Sequence, residues 1–159
     1  MIILYGGSFN PPTIAHYKIS EYLITKYKPK HFIFVPVGNY YQKEELIDFK
    51  YRYEMVKILS EKLTNAYVSD YENQPSYKGT ITTLDHFQNI YKDEDLHYVI
   101  GADNLPSLST WIEFVRLIST YKFIVLNRNN INLKEIIRHD EILKNYQKAF
   151  IIEEDFPKI

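Results

Sequence analysis

Between Gly6 and His16 the chain reads GGSFNPPTIAH, and these residue types at this spacing suit the capture of an anion. Gly6 and Gly7 carry no Cβ, so the backbone can turn sharply there and its amides can come close to a negative group. Pro11 and Pro12 stiffen the loop and fix where a helix begins. His16 then falls in the first helical turn, where free amides and the helix dipole favour negative charge. A histidine at that point can donate hydrogen bonds to a phosphate, and the Thr13 hydroxyl faces the same space. Read alone, the same residues equally make an ordinary tight strand-to-helix turn with a helix-capping histidine. The stretch is neither G-x-G-x-x-G nor G-x-x-x-x-G-K-[ST], so it supports neither a dinucleotide-binding nor a P-loop reading.

The elements that must position this stretch follow from hydrophobic periodicity. MIILY, HFIFVPV, AYVSD, LHYVIGAD, KFIVLNR and KAFIIEE have strand length and character. Between them lie helix-period segments: AHYKISEYLITKY, DFKYRYEMVKILSEKL with Asp48 as N-cap, TITTLDHFQNIY with Thr80 as cap, TWIEFVRLIST and NLKEIIRHDEIL. Strands alternating with helices predict βαβ units in a parallel sheet, with right-handed crossovers putting helices on both faces. The expectation is an α/β, Rossmann-like, doubly wound sheet in three layers and a single domain, with strand order 3-2-1-4-5. Ligands in such a sheet bind beyond the carboxyl ends of the strands. Tyr5 to His16, Pro36 to Lys43, Gly101 to Trp111 and Asn127 with Arg128 all fall there.

Bulk composition narrows the function classes. A chain of 159 residues with 45% hydrophobic and 25% charged residues can bury one core and stay in solution. A net charge of -1 argues against a surface that coats nucleic acid, but not against small anionic ligands. With no cysteine there is no disulfide framework, thiolate metal site or thiol nucleophile. His31, His86, His97 and His139 pair with one another at no metal-ligand spacing, so no bound metal is expected of them. No apolar run reaches membrane-spanning length and no basic leader opens the chain, which leaves a cytoplasmic protein as the expectation.

GGSFNPPTIAH resembles the phosphate-binding (T/H)xxH signature of the nucleotidyltransferase α/β-phosphodiesterase superfamily. Within it, the chain is similar to the bacterial nicotinate-nucleotide adenylyltransferases. IFVPVGNYYQK resembles that family's strand and lysine-bearing loop, and YRYEMVKIL its arginine-containing helix. PSYKGTITTL resembles its SYTxDTL segment, with Thr82 where Asp is usual. YVIGADNLPSLSTWIEF resembles IGAD…L…W, and FIVLNR the strand that ends in arginine. The family continues into an ISSTxxR segment that holds ATP phosphates, whereas FIIEEDFPKI ends at Ile159. The expectation is therefore a nucleotidyltransferase domain over 1–159 that lacks the C-terminal SSTxxR segment, as an incomplete chain would, and binds ATP more weakly for it.

The resemblance implies transfer of the adenylyl group of ATP to nicotinate mononucleotide, giving deamido-NAD and pyrophosphate, with Mg²⁺ accompanying ATP. It assigns the catalytic part to His16, Thr13 and Lys43. It assigns ATP binding to Gly6, Gly7, Ser8, Phe9, His16, Gly101, Asp103 and Arg128, and mononucleotide binding to Thr80, Thr83 and Trp111. Each has a plainer alternative: Lys43 a solvated loop lysine, Arg128 a surface arginine, Asp103 a helix N-cap, Trp111 core packing, and Thr80 and Thr83 helix-start hydroxyls. The partners implied are ATP and a pyridine mononucleotide, with neither nucleic acid nor membrane, and self-association is compatible. Nicotinamide mononucleotide or phosphopantetheine as acceptor, or a nucleotide-binding module without turnover, are the alternatives.

Overall fold

Ile2, Ile3 and Leu4 are fully excluded from solvent, and they open a strand, β1 (Ile2–Gly7), that carries the anion-binding stretch on its carboxyl end. The computed structural model describes residues 1–41 and 45–158. Within the expected domain the residues gather into two compact units, Met1–Tyr77 with the tail from Phe156, and Lys78–Asp155. Among the described residues no helix is long and apolar enough to cross a membrane.

In the first unit β1 is followed by α1 (Ile14–Tyr27), β2 (His31–Pro36), α2 (Phe49–Ser60) and β3 (Ala66–Val68). The strands lie in the order β3-β2-β1 and both pairings are parallel, with Ile2 opposite His31 and Gly7 opposite Pro36. β1 and β2 are near-continuous apolar runs because parallel strands of this kind are covered on both faces. Asp48 caps α2 as expected, its carboxylate accepting from the Lys50 amide at 3.1 Å. α2 buries Phe49, Arg52, Val56 and Ser60, one stripe at helical spacing. Gly38 follows β2 where there is no room for a side chain: a Cβ would lie 2.3 Å from the Glu72 carbonyl oxygen and 2.5 Å from Asn73 Cα.

The second unit begins with α3 (Thr80–Ile90) and β4 (Leu96–Gly101). A 3-10 turn at Ala102–Asn104 leads into α4 (Leu105–Leu108) and α5 (Phe114–Thr120). β5 (Lys122–Leu126), α6 (Leu133–His139), a second 3-10 segment at Leu143–Ala149 and β6 (Phe150–Glu153) complete it. The order is β4-β5-β6, again parallel, with Gly101 opposite Leu126 and Leu126 opposite Glu153. The orders 3-2-1 and 4-5 are thus present within their units, and a sixth strand extends the second.

At three element boundaries the difference from expectation has a clear local reason. The helix expected over 110–120 starts only at Phe114, because Glu113 adopts a left-handed backbone (φ 52°) that ends the preceding turn. Thr80 is the first helical residue of α3 rather than its cap; Gly79 (φ 89°) takes the cap position. The helix expected over 132–143 stops at His139, where the Asp140 carboxylate accepts from the amides of Ile142 and Leu143, each at 2.9 Å, and opens a new turn.

Candidate functional site

Gly6 and Gly7 end β1 in extended backbone, opposite Val35 and Pro36, so the sharp turn expected of them lies two residues later. Phe9 makes it, with φ 46°, and its ring is buried against Tyr5, Phe34 and His16. A buried aromatic anchor offsets the unfavourable backbone and fixes the loop from beneath. What Phe9 can offer a ligand is therefore its amide and not its ring.

Thr13 is the N-cap of α1 and His16 is N3. The Thr13 amide donates to His16 Nδ1 at 2.9 Å, and Thr13 Oγ1 lies 3.2 Å from the same nitrogen. This is the reciprocal half of a capping box, with imidazole in the place usually taken by Glu or Gln. Nδ1 uses its lone pair as acceptor, so in the neutral ring the proton resides on Nε2, which is then a donor. The plain capping role and the phosphate-donor role are compatible, because they use different ring nitrogens. Thr13 is exposed and His16 half-buried.

Two side chains to which the sequence reading gave no role hold this loop. Asn10 spans to the segment before α2, its Nδ2 donating to the Glu45 carbonyl (3.0 Å) and its Oδ1 accepting from the Ile47 amide (2.8 Å). Arg52, fully buried on α2, donates from Nε to the Ile47 carbonyl (2.6 Å). Its Nη1 donates to the carbonyls of Ser8 (3.0 Å) and Val37 (2.6 Å). Burial pushes its pKa down, with Asp48 opposing the shift. A signal was available: an arginine at 52 interrupts the apolar stripe 49, 56 of an amphipathic helix, and a buried guanidinium needs acceptors. Lys43 lies outside the described residues.

In the second unit the carboxyl ends of β4 and β5 carry the remaining candidates. Asp103 is exposed in the turn after β4, and its Oδ1 folds back over Gly101 into space that a Cβ would fill at 2.4 Å. Arg128 is exposed two residues beyond β5, in a turn closed by the fully buried Asn127. The Asn127 side chain donates to the Ile131 carbonyl (2.5 Å) and to Glu154 (3.1 Å). Trp111 is half-buried in the turn before α5, outside the helical core. Thr80 is half-buried at the start of α3, while Thr83 is fully buried and its hydroxyl does not reach the surface. Gly79 brings the start of α3 against Ile112, next to Trp111; a Cβ at 79 would lie 3.1 Å from the Ile112 side chain.

A polar clamp joins α3 to α5 on either side of that turn. Arg116 binds Asp85 through both carboxylate oxygens (3.0 and 2.8 Å) and Glu113 through Nε (3.1 Å). Tyr121 donates to Asp85 at 2.6 Å. The Arg116 bond, helped by Tyr121, holds the Asp85 carboxyl below its ordinary range, while burial and Asp85 push the Tyr121 phenol up. Asp85 and Arg116 are 31 residues apart, so no local pattern announces them. Among the described residues no group of three or more His, Asp or Glu side chains could enclose a metal ion.

Comparison with known proteins gives one consistent result. A family model described as cytidylyltransferase-like matches residues 4–156. A relative from Acholeplasma laidlawii, named "Probable nicotinate-nucleotide adenylyltransferase", is 44% identical over 131 residues, covering 82% of this chain and 69% of its own. One of the same name from Clostridium acetobutylicum is 35% identical over 144 residues, covering 89% and 72%. The Plasmodium falciparum nicotinic acid mononucleotide adenylyltransferase, solved with NaAD, superposes with a TM-score of 0.79. That match covers 99% of this chain and 76% of the other at 20% identity, a likeness of fold.

Proposed function

The chain belongs to the cytidylyltransferase-like family, and we propose that it transfers the adenylyl group of ATP to nicotinate mononucleotide in the biosynthesis of NAD. The acceptor is supported by the relatives at 44% and 35% identity, whose names specify it. An oxygen of the mononucleotide phosphate attacks the α-phosphorus of ATP. The bond from that phosphorus to the bridging oxygen breaks as the new one forms, and pyrophosphate leaves with the electron pair. No covalent intermediate on the protein is required, so the protein acts by positioning and by stabilising charge on the phosphates.

The observation that carries this reading is the bond from the Thr13 amide to His16 Nδ1, which leaves Nε2–H as the donor at the start of α1. His16 donates to the α- or β-phosphate oxygens as their charge grows, and Thr13 orients it. The amides of Ser8 and Phe9, just beyond the strand end that Gly6 and Gly7 form, line the phosphate path. Gly101 and Asp103 serve the ribose or the cation, Arg128 grips a phosphate, and Lys43 adds a point charge. Trp111 stacks on the pyridine ring, with the Thr80 hydroxyl beside the ring substituent.

Mg²⁺ enters with ATP and neutralises phosphate charge when bound. Asp103 suits it, being an exposed carboxylate beyond a strand end. A Mg²⁺ held chiefly by phosphates and water needs only one or two carboxylates. The test is pyrophosphate release with nicotinate mononucleotide, nicotinamide mononucleotide and phosphopantetheine in turn. Release should be fastest with the first; no release with any acceptor overturns the reading.

A further inference from the structure

Arg52 is fully buried, yet its described hydrogen bonds go to the carbonyls of Ser8, Val37 and Ile47 rather than to a carboxylate, and its buried Nη2 has no partner among the described residues. A leucine or methionine would fill that face of α2 without the desolvation that a buried guanidinium suffers. What the guanidinium does that no apolar residue can is fix the direction of three peptide planes. The Ser8 plane matters most. In a trans peptide the carbonyl and the next amide point in opposite directions. Drawing the Ser8 carbonyl toward Arg52 therefore turns the Phe9 N–H away from it. The Gly7 carbonyl is likewise occupied by the Val37 amide at 2.9 Å, which sets the next plane back along the loop.

We propose that Arg52 is a positioning residue for adenylyl transfer: by holding the Ser8 carbonyl it aims the Phe9 amide at the phosphates, without itself touching the nucleotide. The proposal rests on the function given above. Arg52 spans two loops at once, since Val37 and Ile47 bound the segment after β2 while Ser8 belongs to the loop after β1. One side chain thus sets the phosphate loop relative to its neighbour within the same unit.

Arg52→Lys keeps the charge but cannot reach three carbonyls with one ammonium. Its kcat should fall about 10- to 100-fold, with KM for the mononucleotide within about threefold of the parent, because a misaimed donor acts on the reacting phosphates. In Arg52→Ala, millimolar guanidinium should restore part of kcat, and ammonium at the same ionic strength should not. Parent-like kcat in Arg52→Lys overturns the proposal. So does a loss that vanishes at a temperature where the variant is fully folded. ATP affinity by calorimetry separates this from failure of the functional reading: should the parent release no pyrophosphate, about tenfold weaker ATP binding by Arg52→Lys still supports the positioning role, and equal binding still overturns it.

Discussion

The Thr13 amide and His16 Nδ1 lie 2.9 Å apart at the first turn of α1, so one imidazole both closes the helix cap and is held in a single tautomer. The two jobs use opposite edges of the ring. A carboxylate at this position would cap equally well but would present no N–H and would add negative charge beside phosphates. The requirement for a donor therefore accounts for histidine in place of Glu, a common choice at N3.

His16→Glu separates the roles. Glutamate at N3 can accept the Thr13 amide and complete the capping box, so the melting temperature should stay within a few degrees of the parent. Turnover should drop by at least about 10²–10³, the effect of losing one preorganised donor to a developing charge. Steady-state pyrophosphate release and a thermal melt decide it. Retained turnover would return His16 to a purely capping role.

Trp111 sits half-exposed in a turn, so its removal costs little packing. Trp111→Ala should raise KM for the mononucleotide about 5- to 100-fold, the range expected when an aromatic stacking partner of a ring is lost. Trp111→Phe should keep most of the affinity. Equal KM values in all three proteins would mean that no ring stacks there.

Much of this was legible in the chain because the signals are local. The strand runs, the Asp48 cap and the position of His16 three residues after Thr13 follow from periodicity and capping chemistry. The turn at Phe9 was not legible, since glycine is the expected left-handed residue and the aromatic contacts with Tyr5 and Phe34 that offset it are set by packing. The carbonyl partners of Arg52, and the Asp85–Arg116 clamp, were not legible because tertiary structure sets them. Thr83 shares the buried face of α3 with Leu84 and Phe87, a placement that only the packing of that helix determines.

Gly38 tests a packing claim that has nothing to do with chemistry. Its hypothetical Cβ meets backbone atoms of Glu72 and Asn73, which cannot swing aside as a side chain would. Gly38→Ala should destabilise the fold by about 1–3 kcal/mol, as overpacking of a close backbone contact does. That corresponds to a fall in Tm of roughly 2–12 °C for a chain of this size. An unchanged Tm would show that the loop after β2 has slack.

His97 should make stability depend on pH. It is buried at the start of β4, its Nδ1 has no hydrogen-bond partner among the described residues, and burial is the main cause that pushes its pKa below the ordinary 6.5, with Asp95 opposing. The folded state therefore resists protonation while the unfolded chain accepts it. Above 6.5 both states are neutral at this site and no penalty exists. As pH falls through 6.5 the unfolded chain takes up the proton first, so stability declines until the lower folded pKa is reached. The slope is limited to about 1.4 kcal/mol per pH unit for one proton. The carboxylates of Asp85, Glu113 and Glu135, whose pKa values are lowered by Arg116 and Arg138, weaken the fold in the same direction, but only below their ordinary values of 3.8 and 4.5. Urea melts between about pH 7.5 and 5.5 isolate the histidine range. His97→Leu should flatten the decline across that window, and an unaltered slope in the variant would assign it to another group.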